Sequence, residues 1–308
     1  MQPEATKENR MSTAQTQRSS VSIIVVSYNT VELLRDCLAS VYAQCRADDE
    51  VLVVDNASRD GSVEMVKKEF ADTVLLESQS NLGFAKANNQ AISKAAGELL
   101  WFLNPDARLE PGALDAAVAF MNRNRSVGMA GTALIHPDGS PQPSVEYGYP
   151  GQTYAGSLFD GLPGKIAWVV GASIFAWRRV MDTVGGFDER FFLYGEDLDL
   201  GLTVRKAGWP IGFIKDSVVT HYGGESERSF TPEAVIEKKL KGEMIFYRKH
   251  YPRETIHRIK RKNRIQAAWR LITLYILRLL VPNNPTVARK YSFYLLSWRF
   301  FGKSNATL

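Results

Sequence analysis

The chain has 308 residues, 45% hydrophobic and 23% charged, enough to bury one large core with or without a small appended unit. Its two cysteines, Cys37 and Cys45, fall on one predicted helix roughly 12 Å apart along the axis, too far for a disulfide; with no CxxC or Cys/His cluster, structural zinc is disfavoured and a reducing compartment fits. The net charge of +5 conceals an asymmetry: residues 244–308 carry fourteen Lys and Arg against Glu254 alone, a charge of +13 that leaves −8 on the remainder, so the tail is expected to meet an anionic surface.

Residues 1–20 are polar, lack the apolar run of a signal peptide and are expected to form a disordered arm. Val21–Ser27 is a short β-branched run, as a buried parallel strand requires. Helical spacing follows over residues 32–43. A second buried strand at 51–54 ends at Asp55. Residues 62–70 read as a helix, 74–76 as a short strand and 84–95 as another helix. Leu99–Leu103 is a fourth strand, ending in Asn104, Pro105 and Asp106, and Pro111 marks the first turn of a helix running to residue 122. Strands and helices alternating through short connections imply an α/β fold, a doubly wound, mostly parallel sheet flanked by helices. Ligands of such sheets sit beyond the carboxyl ends of the strands. Polar residues stand at those ends: Tyr28 and Asn29, Asp55 and Asn56, Asn81, Asn104 and Asp106.

Beyond residue 122 the pattern changes. Residues 127–135 read as a strand, Pro137 to Ser140 as a turn, and the Pro-, Gly-, Ser- and Tyr-rich residues 141–164 as a long loop. Residues 167–177 are strand-like and include Gly171 and Ala172, small enough to let another group come close. A short helix (Arg178–Val184), two short strands at 211–214 and 217–221 and a flexible turn at 222–226 complete this part. The tail opens with a helix at 232–251 and a basic run at 258–264. Residues 267–281 are apolar, but the run is interrupted by Arg270 and Arg278 and is shorter than the ~20 residues a membrane span needs. An amphipathic helix lying in a membrane interface fits this segment, with residues 291–301 as a second. The rival reading is a helical pair packed on the domain through its apolar face. No nucleic-acid-binding module is recognisable, and nucleic acid is not expected as a partner.

Three carboxylates crowd residues 196–199: Glu196, Asp197 and Asp199 follow Gly195 and open a helix beside aromatic residues. Desolvating carboxylates is costly, so they serve a cation, a proton transfer or a helix cap. Asp106 at a strand end suits a hard divalent cation, with a helix cap or Asx turn as the alternative. Asp55 suits a base or ribose hydroxyl. His221 follows an apolar strand and reads either as a structural residue or as a ligand, with Gly223 and Gly224 keeping its surroundings open.

The stretches VSIIVVSYN, EVLVVDNASRDGS, NLGFAKANNQAI, LLWFLNPDA, VVGASIFAWRR, GGFDERFFLYGEDLDLGLTVRKAGW and HYGGES occur in that order between residues 21 and 226. Together they resemble the inverting family 2 glycosyltransferases of the GT-A fold, most closely a rhamnosyltransferase-like branch that builds cell-wall and surface polysaccharides. The resemblance implies a nucleotide-sugar site lined by Ser27, Tyr28, Asn29 and Asp55, with Asn81, Gly83, Asn88, Asn104 and Asp106 contributing. Asp106 matches the last position of the metal-binding DxD motif. Asn104 occupies its first position, so one metal carboxylate is missing. His221 matches a position that completes metal or diphosphate binding, and the implied cofactor is Mg2+ or Mn2+. Asp197 matches the catalytic base. Gly171, Ala172 and Glu196 are assigned to the acceptor, and Asp199 to a structural pair with Arg205 or Arg190.

The expected layout is a catalytic domain at 21–230, with a nucleotide-sugar half at 21–125 and an acceptor half at 126–230, followed by a basic amphipathic tail at 231–308. The expected reaction is in-line transfer of L-rhamnose from dTDP-rhamnose to a saccharide or polyprenyl-diphosphate-linked acceptor. It would take place on the cytoplasmic face of a membrane, with homo-oligomerisation left open. The rivals are a UDP- or GDP-hexose donor and a non-catalytic nucleotide-sugar or membrane-surface module. A nucleotidyltransferase would want a basic, Gly-rich loop where SYNTVELL stands, and a dehydrogenase would want GxGxxG there.

Overall fold

A computed structural model describes residues 18–224, 230–282 and 284–303. The expected N-terminal arm, apart from its last three residues, lies outside that range, as do residues 225 and 226 of the expected turn.

The first half runs β1 (Val21–Ser27), α1 (Val31–Tyr42), β2 (Glu50–Asp55), α2 (Ser62–Glu69), β3 (Val74–Glu77), α3 (Phe84–Ile92) and β4 (Leu99–Leu103). Every residue of β1 and β4 is buried, as their unbroken apolar runs demand. These strands pair in parallel in the order β3-β2-β1-β4. The register sets Ser27 opposite Asp55 and Asp55 opposite Glu77, so the polar strand ends lie level along one edge.

The second half adds β5 (Ala107–Leu109), α4 (Ala113–Arg123), β6 (Met129–Ile135), β7 (Pro141–Gln142), β8 (Val145–Glu146), β9 (Trp168–Val169), β10 (Ser173–Trp177), α5 (Arg178–Val184), α6 (Glu196–Lys206) and β11 (Ile211–His221). The sheet continues from β4 as β10-β6-β11-β5, with β7 on β6, while β8 and β9 form a separate ribbon. β10 lies antiparallel to both β4 and β6, so this half of the sheet is mixed. Across it, Trp101 packs edge-on to Phe175 with ring centroids 5.1 Å apart and donates to Ser173 Oγ at 2.9 Å.

Several elements differ from expectation for local reasons. The run at 167–177 is two strands, broken at residues 170–172, where Gly171 turns its backbone toward α6. The two strands expected at 211–221 are one, bulged between Ile214 and Val218 where exposed Lys215 and Asp216 intervene. Pro111 precedes the α4 helix rather than opening it, since Gly112 in the left-handed region is the cap.

Three helices follow: α7 (Pro232–His250), α8 (Arg253–Leu280) and α9 (Pro285–Gly302). Proline at N1 starts α7 and α9, with Thr231 and Asn284 as side-chain caps. α7 is part of a second core. Its Leu240, Met244, Phe246 and Tyr247 pack with Phe191, Leu198 and Leu202 from the α6 region, and the cluster extends to Ile256 and Ile259 of α8 and Phe300 and Phe301 of α9. The α8 helix is ~42 Å long at the usual rise. It presents Ile265, Trp269, Ile272, Ile276, Leu279 and Leu280 to the outside, each more than half exposed. Among the described residues no helix is long and apolar enough to cross a membrane.

Candidate active site

At the ends of β1 and β2 the expected nucleotide residues form one polar ledge with distinct duties. Ser27 is fully buried, its hydroxyl 2.9 Å from that of Thr30, so it shapes the turn and does not line the pocket. Asn29, at φ 53°, accepts from Arg59 N–H at 2.8 Å and leaves Tyr28 on the rim. Asp55 is buried: Oδ2 accepts from Ser58 N–H at 2.9 Å, while Oδ1 has no partner among the described residues. A buried, unsatisfied carboxylate oxygen is costly unless a ligand donates to it. Just before α2, Asp60 accepts from Ser62 N–H at 3.1 Å, and Gly61 is the cap. Asn56 holds Asn81 (3.2 Å) and Leu82 N–H (2.9 Å). Gly83 sits under Phe192, whose carbonyl oxygen would overlap any Cβ placed there, and buried Asn88 ties back to Phe84 O at 2.9 Å. Gly83 and Asn88 lie beneath the ledge, as Ser27 does.

The second cluster lies where β4, β5 and β11 meet. Antiparallel pairing sets His221 opposite Ala107, which brings its imidazole to Asp106. His221 Nε2 lies 3.4 Å from Asp106 Oδ1 and 3.5 Å from Asn104 Nδ2. Asp106 Oδ1 is buried and has no hydrogen-bond partner among the described residues. Gln142 on β7 decides what this means. Its Nε2 donates to the His221 carbonyl at 2.6 Å, so its Oε1, 3.0 Å from His221 Nδ1, must accept from that nitrogen. Nε2 then faces the Asp106 carboxylate oxygen and the Asn104 amide. A proton on Nε2 or a cation between the two would satisfy this pair, and nitrogen and oxygen donors match a divalent ion. Among the described residues no third His, Cys, Asp or Glu joins them, so substrate oxygens would complete such a shell.

The third cluster is the carboxylate turn. Tyr194 at φ 73° and Gly195 at φ 91° form a tight left-handed turn that delivers Glu196 and Asp197 to the N-terminus of α6. Asp197 is half-buried and fully oriented. Its Oδ2 accepts from Gly171 N–H at 2.9 Å and its Oδ1 from Leu198 N–H at 2.8 Å. Burial raises its proton affinity against these hydrogen bonds. Glu196 is only 6% exposed, and its Oε2 has no partner among the described residues. Burial, then the neighbouring Asp197 charge, pushes its carboxyl up to about 8. The two carboxyls titrate as a pair, and their shared burial favours keeping a proton between them.

Two backbone steps connect this turn to the cation corner. Gly171 holds Asp197, and the next residue, Ala172, accepts from Asn104 N–H at 3.0 Å through its carbonyl. Ala172 and Glu196 are both buried beside this link, and Glu196 Oε2 has no partner among the described residues. Asp199 is structural as expected but has other partners. It reaches Lys249 Nζ and His250 Nε2 on α7, each at 2.7 Å. Arg205 instead binds the carbonyls of Pro163 and Gly164 and the Tyr149 hydroxyl, pinning the long loop, and Arg190 pairs with Asp188.

The fold gathers a polar strand-end ledge, the Asp106–His221 pair and the oriented Asp197 carboxylate, and its likeness to known proteins makes it a transferase. Comparison with known proteins places it more closely. Residues 22–177 match the profile of Glycosyl transferase family 2, and residues 100–299 that of Glycosyl transferase family group 2. The chain belongs to glycosyltransferase family 2. It is 29% identical over 234 residues to an N-acetylglucosaminyl-diphospho-decaprenol L-rhamnosyltransferase of Mycobacterium tuberculosis, covering 66% of this chain and 76% of that protein. It is 33% identical over 234 residues to the O-antigen biosynthesis protein RfbC of Myxococcus xanthus, covering 70% of this chain but only 18% of that longer protein. The solved mannosyltransferase PcManGT of Pyrobaculum calidifontis, bound to GDP-Man and Mn2+, superposes with a TM-score of 0.60 at 19% identity over 92% of this chain and 86% of its own. That likeness establishes the GT-A fold.

Proposed function

We propose that this glycosyltransferase moves L-rhamnose from dTDP-rhamnose, with inversion, onto a saccharide carried by a polyprenyl diphosphate, in building a cell-wall or surface polysaccharide. The observation that carries the reading is the Gly171–Ala172 link, which puts the oriented Asp197 carboxylate within two residues of the Asn104 and Asp106 corner. Asp197 takes the acceptor hydroxyl's proton as that oxygen attacks the anomeric carbon. Glu196, protonated behind it, keeps the second carboxyl neutral. Asp55 Oδ1 accepts from the nucleotide. Asp106 and His221 hold Mg2+ or Mn2+, which neutralises charge on the departing diphosphate when bound. The similarity to the mycobacterial rhamnosyltransferase supports the donor and acceptor classes.

The tail supports a site of action at an anionic membrane surface. On one face of α8, exposed Arg258, Arg261 and Lys262 lead into the exposed apolar stripe from Ile265 to Leu280, an arrangement suited to headgroups and the acyl boundary. The decisive experiment offers dTDP-rhamnose, UDP-GlcNAc and GDP-mannose, each with Mn2+, Mg2+ or EDTA, to a GlcNAc-diphosphate-lipid acceptor. Transfer from dTDP-rhamnose with inverted anomeric configuration by NMR is expected. Preference for another donor refutes the rhamnose assignment.

A further inference from the structure

A cavity of about 970 Å³ lies between α7, α8 and α9, outside the transfer site. Its walls are apolar, from Val235, Leu274, Leu277, Val287 and Phe293, and three cations, Arg270, Arg289 and Lys290, also line it. No Asp or Glu occurs among its described lining residues. Its volume is near the top of the range for small-molecule sites. On α8, Arg270, Thr273 and Leu277 face into it at helical spacing. The exposed Trp269, Ile272 and Ile276 stand one position away, so the cavity opens along the edge of the apolar stripe. Gly224 borders it three residues after His221, within about 10 Å of extended chain from the cation corner.

An apolar hollow whose charged groups, among the described residues, are cations suits an amphiphile with an anionic head and a long hydrocarbon chain. We propose that this cavity binds the proximal part of the acceptor's polyprenyl chain, with Arg270, Arg289 and Lys290 facing its diphosphate. This rests on the lipid-linked acceptor reading and assigns that substrate a binding site. The carrier would leave the bilayer beside the stripe, lie between the helices and present its sugar toward Asp197.

The test uses the full chain in detergent below its critical micelle concentration. Calorimetry compares inorganic diphosphate, geranyl diphosphate and farnesyl diphosphate. Burying hydrocarbon strengthens binding about fourfold per methylene, so farnesyl diphosphate is expected to bind at least tenfold more tightly than geranyl diphosphate. Leu277→Trp fills the cavity, and Arg289→Glu with Lys290→Glu reverses its charge at exposed positions. Each is expected to weaken farnesyl diphosphate at least tenfold, with unchanged circular dichroism. Leu277→Trp is expected to retain binding to phosphatidylglycerol vesicles, which separates the cavity from the membrane-facing stripe. Equal binding of all three diphosphates, or wild-type affinity in both variants, overturns the proposal. So does a dimer in sedimentation equilibrium that Leu277→Trp dissociates, since the occupant is then a second copy. If rhamnose passes equally well to tailed and tailless GlcNAc-diphosphate acceptors, the cavity assignment fails and the proposed reaction stands. Absence of transfer to every acceptor refutes the reaction, while the diphosphate affinities still decide the cavity.

Discussion

Replacing Glu196 with Gln tests the central electrostatic feature of the site. The folded chain holds the Glu196 proton up to about pH 8, whereas the unfolded chain releases it near 4.5. Between those values the folded state binds more protons than the unfolded state, so this group makes the wild type less stable as pH rises through the window. At ~1.4 kcal/mol per unit, the full displacement sets a ceiling of about 5 kcal/mol. Asp197 shares the burial and titrates with it, so roughly half of that ceiling is the realistic size. In Glu196→Gln the amide would mimic the neutral acid and have no proton to lose. Urea unfolding of both proteins at pH 5, 7 and 8.5 should show the variant gaining on the wild type by about 2–3 kcal/mol across the series. Its turnover at pH 7 should stay within a few-fold of wild type. A stability difference that does not change with pH refutes the buried neutral carboxyl. Loss of turnover at pH 7 would show that Glu196 is the base and Asp197 is not.

Three further outcomes are expected. Asp197→Asn should abolish transfer while calorimetry shows unchanged donor binding. In the wild type the base must be anionic and its proton affinity is raised by burial, so the rate should fall on acidification at a pH above the usual carboxylate range. Gln142→Leu should leave the fold intact but free the His221 ring, weakening Mn2+ affinity measured by EPR about 10–100-fold. At Gly242 an added Cβ would overlap the Tyr194 carbonyl oxygen, so Gly242→Ala must displace the carboxylate turn. A loss of about 1–3 kcal/mol in unfolding free energy and a larger proportional loss in kcat are expected, with thermal unfolding and steady-state kinetics as the measures.

The first half of the sheet was legible because its elements carry their signals locally. β1 and β4 are mostly apolar, and polar residues end β1, β2 and β4 on one edge. Asp106, His221 and Asp197 could be singled out, but not the groups that orient them. Gln142 sits on a two-residue strand, too short for any periodic signal, and acts only because β7 folds back on β6 beside β11. The three-residue β5, which brings His221 to Asp106, is equally silent. Lys249 and His250 read as part of a basic tail, whereas both are ion-paired with buried Asp199, Lys249 half-buried and His250 buried. Charge summed along the sequence cannot separate a solvated cation from one that ends against a carboxylate.

That distinction changes how the C-terminal third relates to the chemistry. α7 touches α6 and the turn that leads into it. Gly242 lets its backbone approach the Tyr194–Gly195 turn just before Glu196 and Asp197. One turn further into α6, Asp199 binds Lys249 and His250. Lys206 also lies 3.0 Å from His250 Nδ1, which leaves Nε2 as the proton-bearing nitrogen toward Asp199 and fits the lowered proton affinity that burial imposes on this ring. α7 then continues through Tyr251 into α8, which carries the exposed apolar stripe. α7 thus joins the α8–α9 hairpin to the Asp197 turn through packed side chains and the Asp199 pairs with Lys249 and His250. Cutting the chain within α7 would remove Phe246, Tyr247, Lys249 and His250 from the second core and leave Asp199 as an uncompensated buried charge. The proposed membrane contact is accordingly tested by substitutions on the exposed face of α8, such as Trp269→Glu or Ile276→Glu, which leave α7 and the carboxylate turn in place.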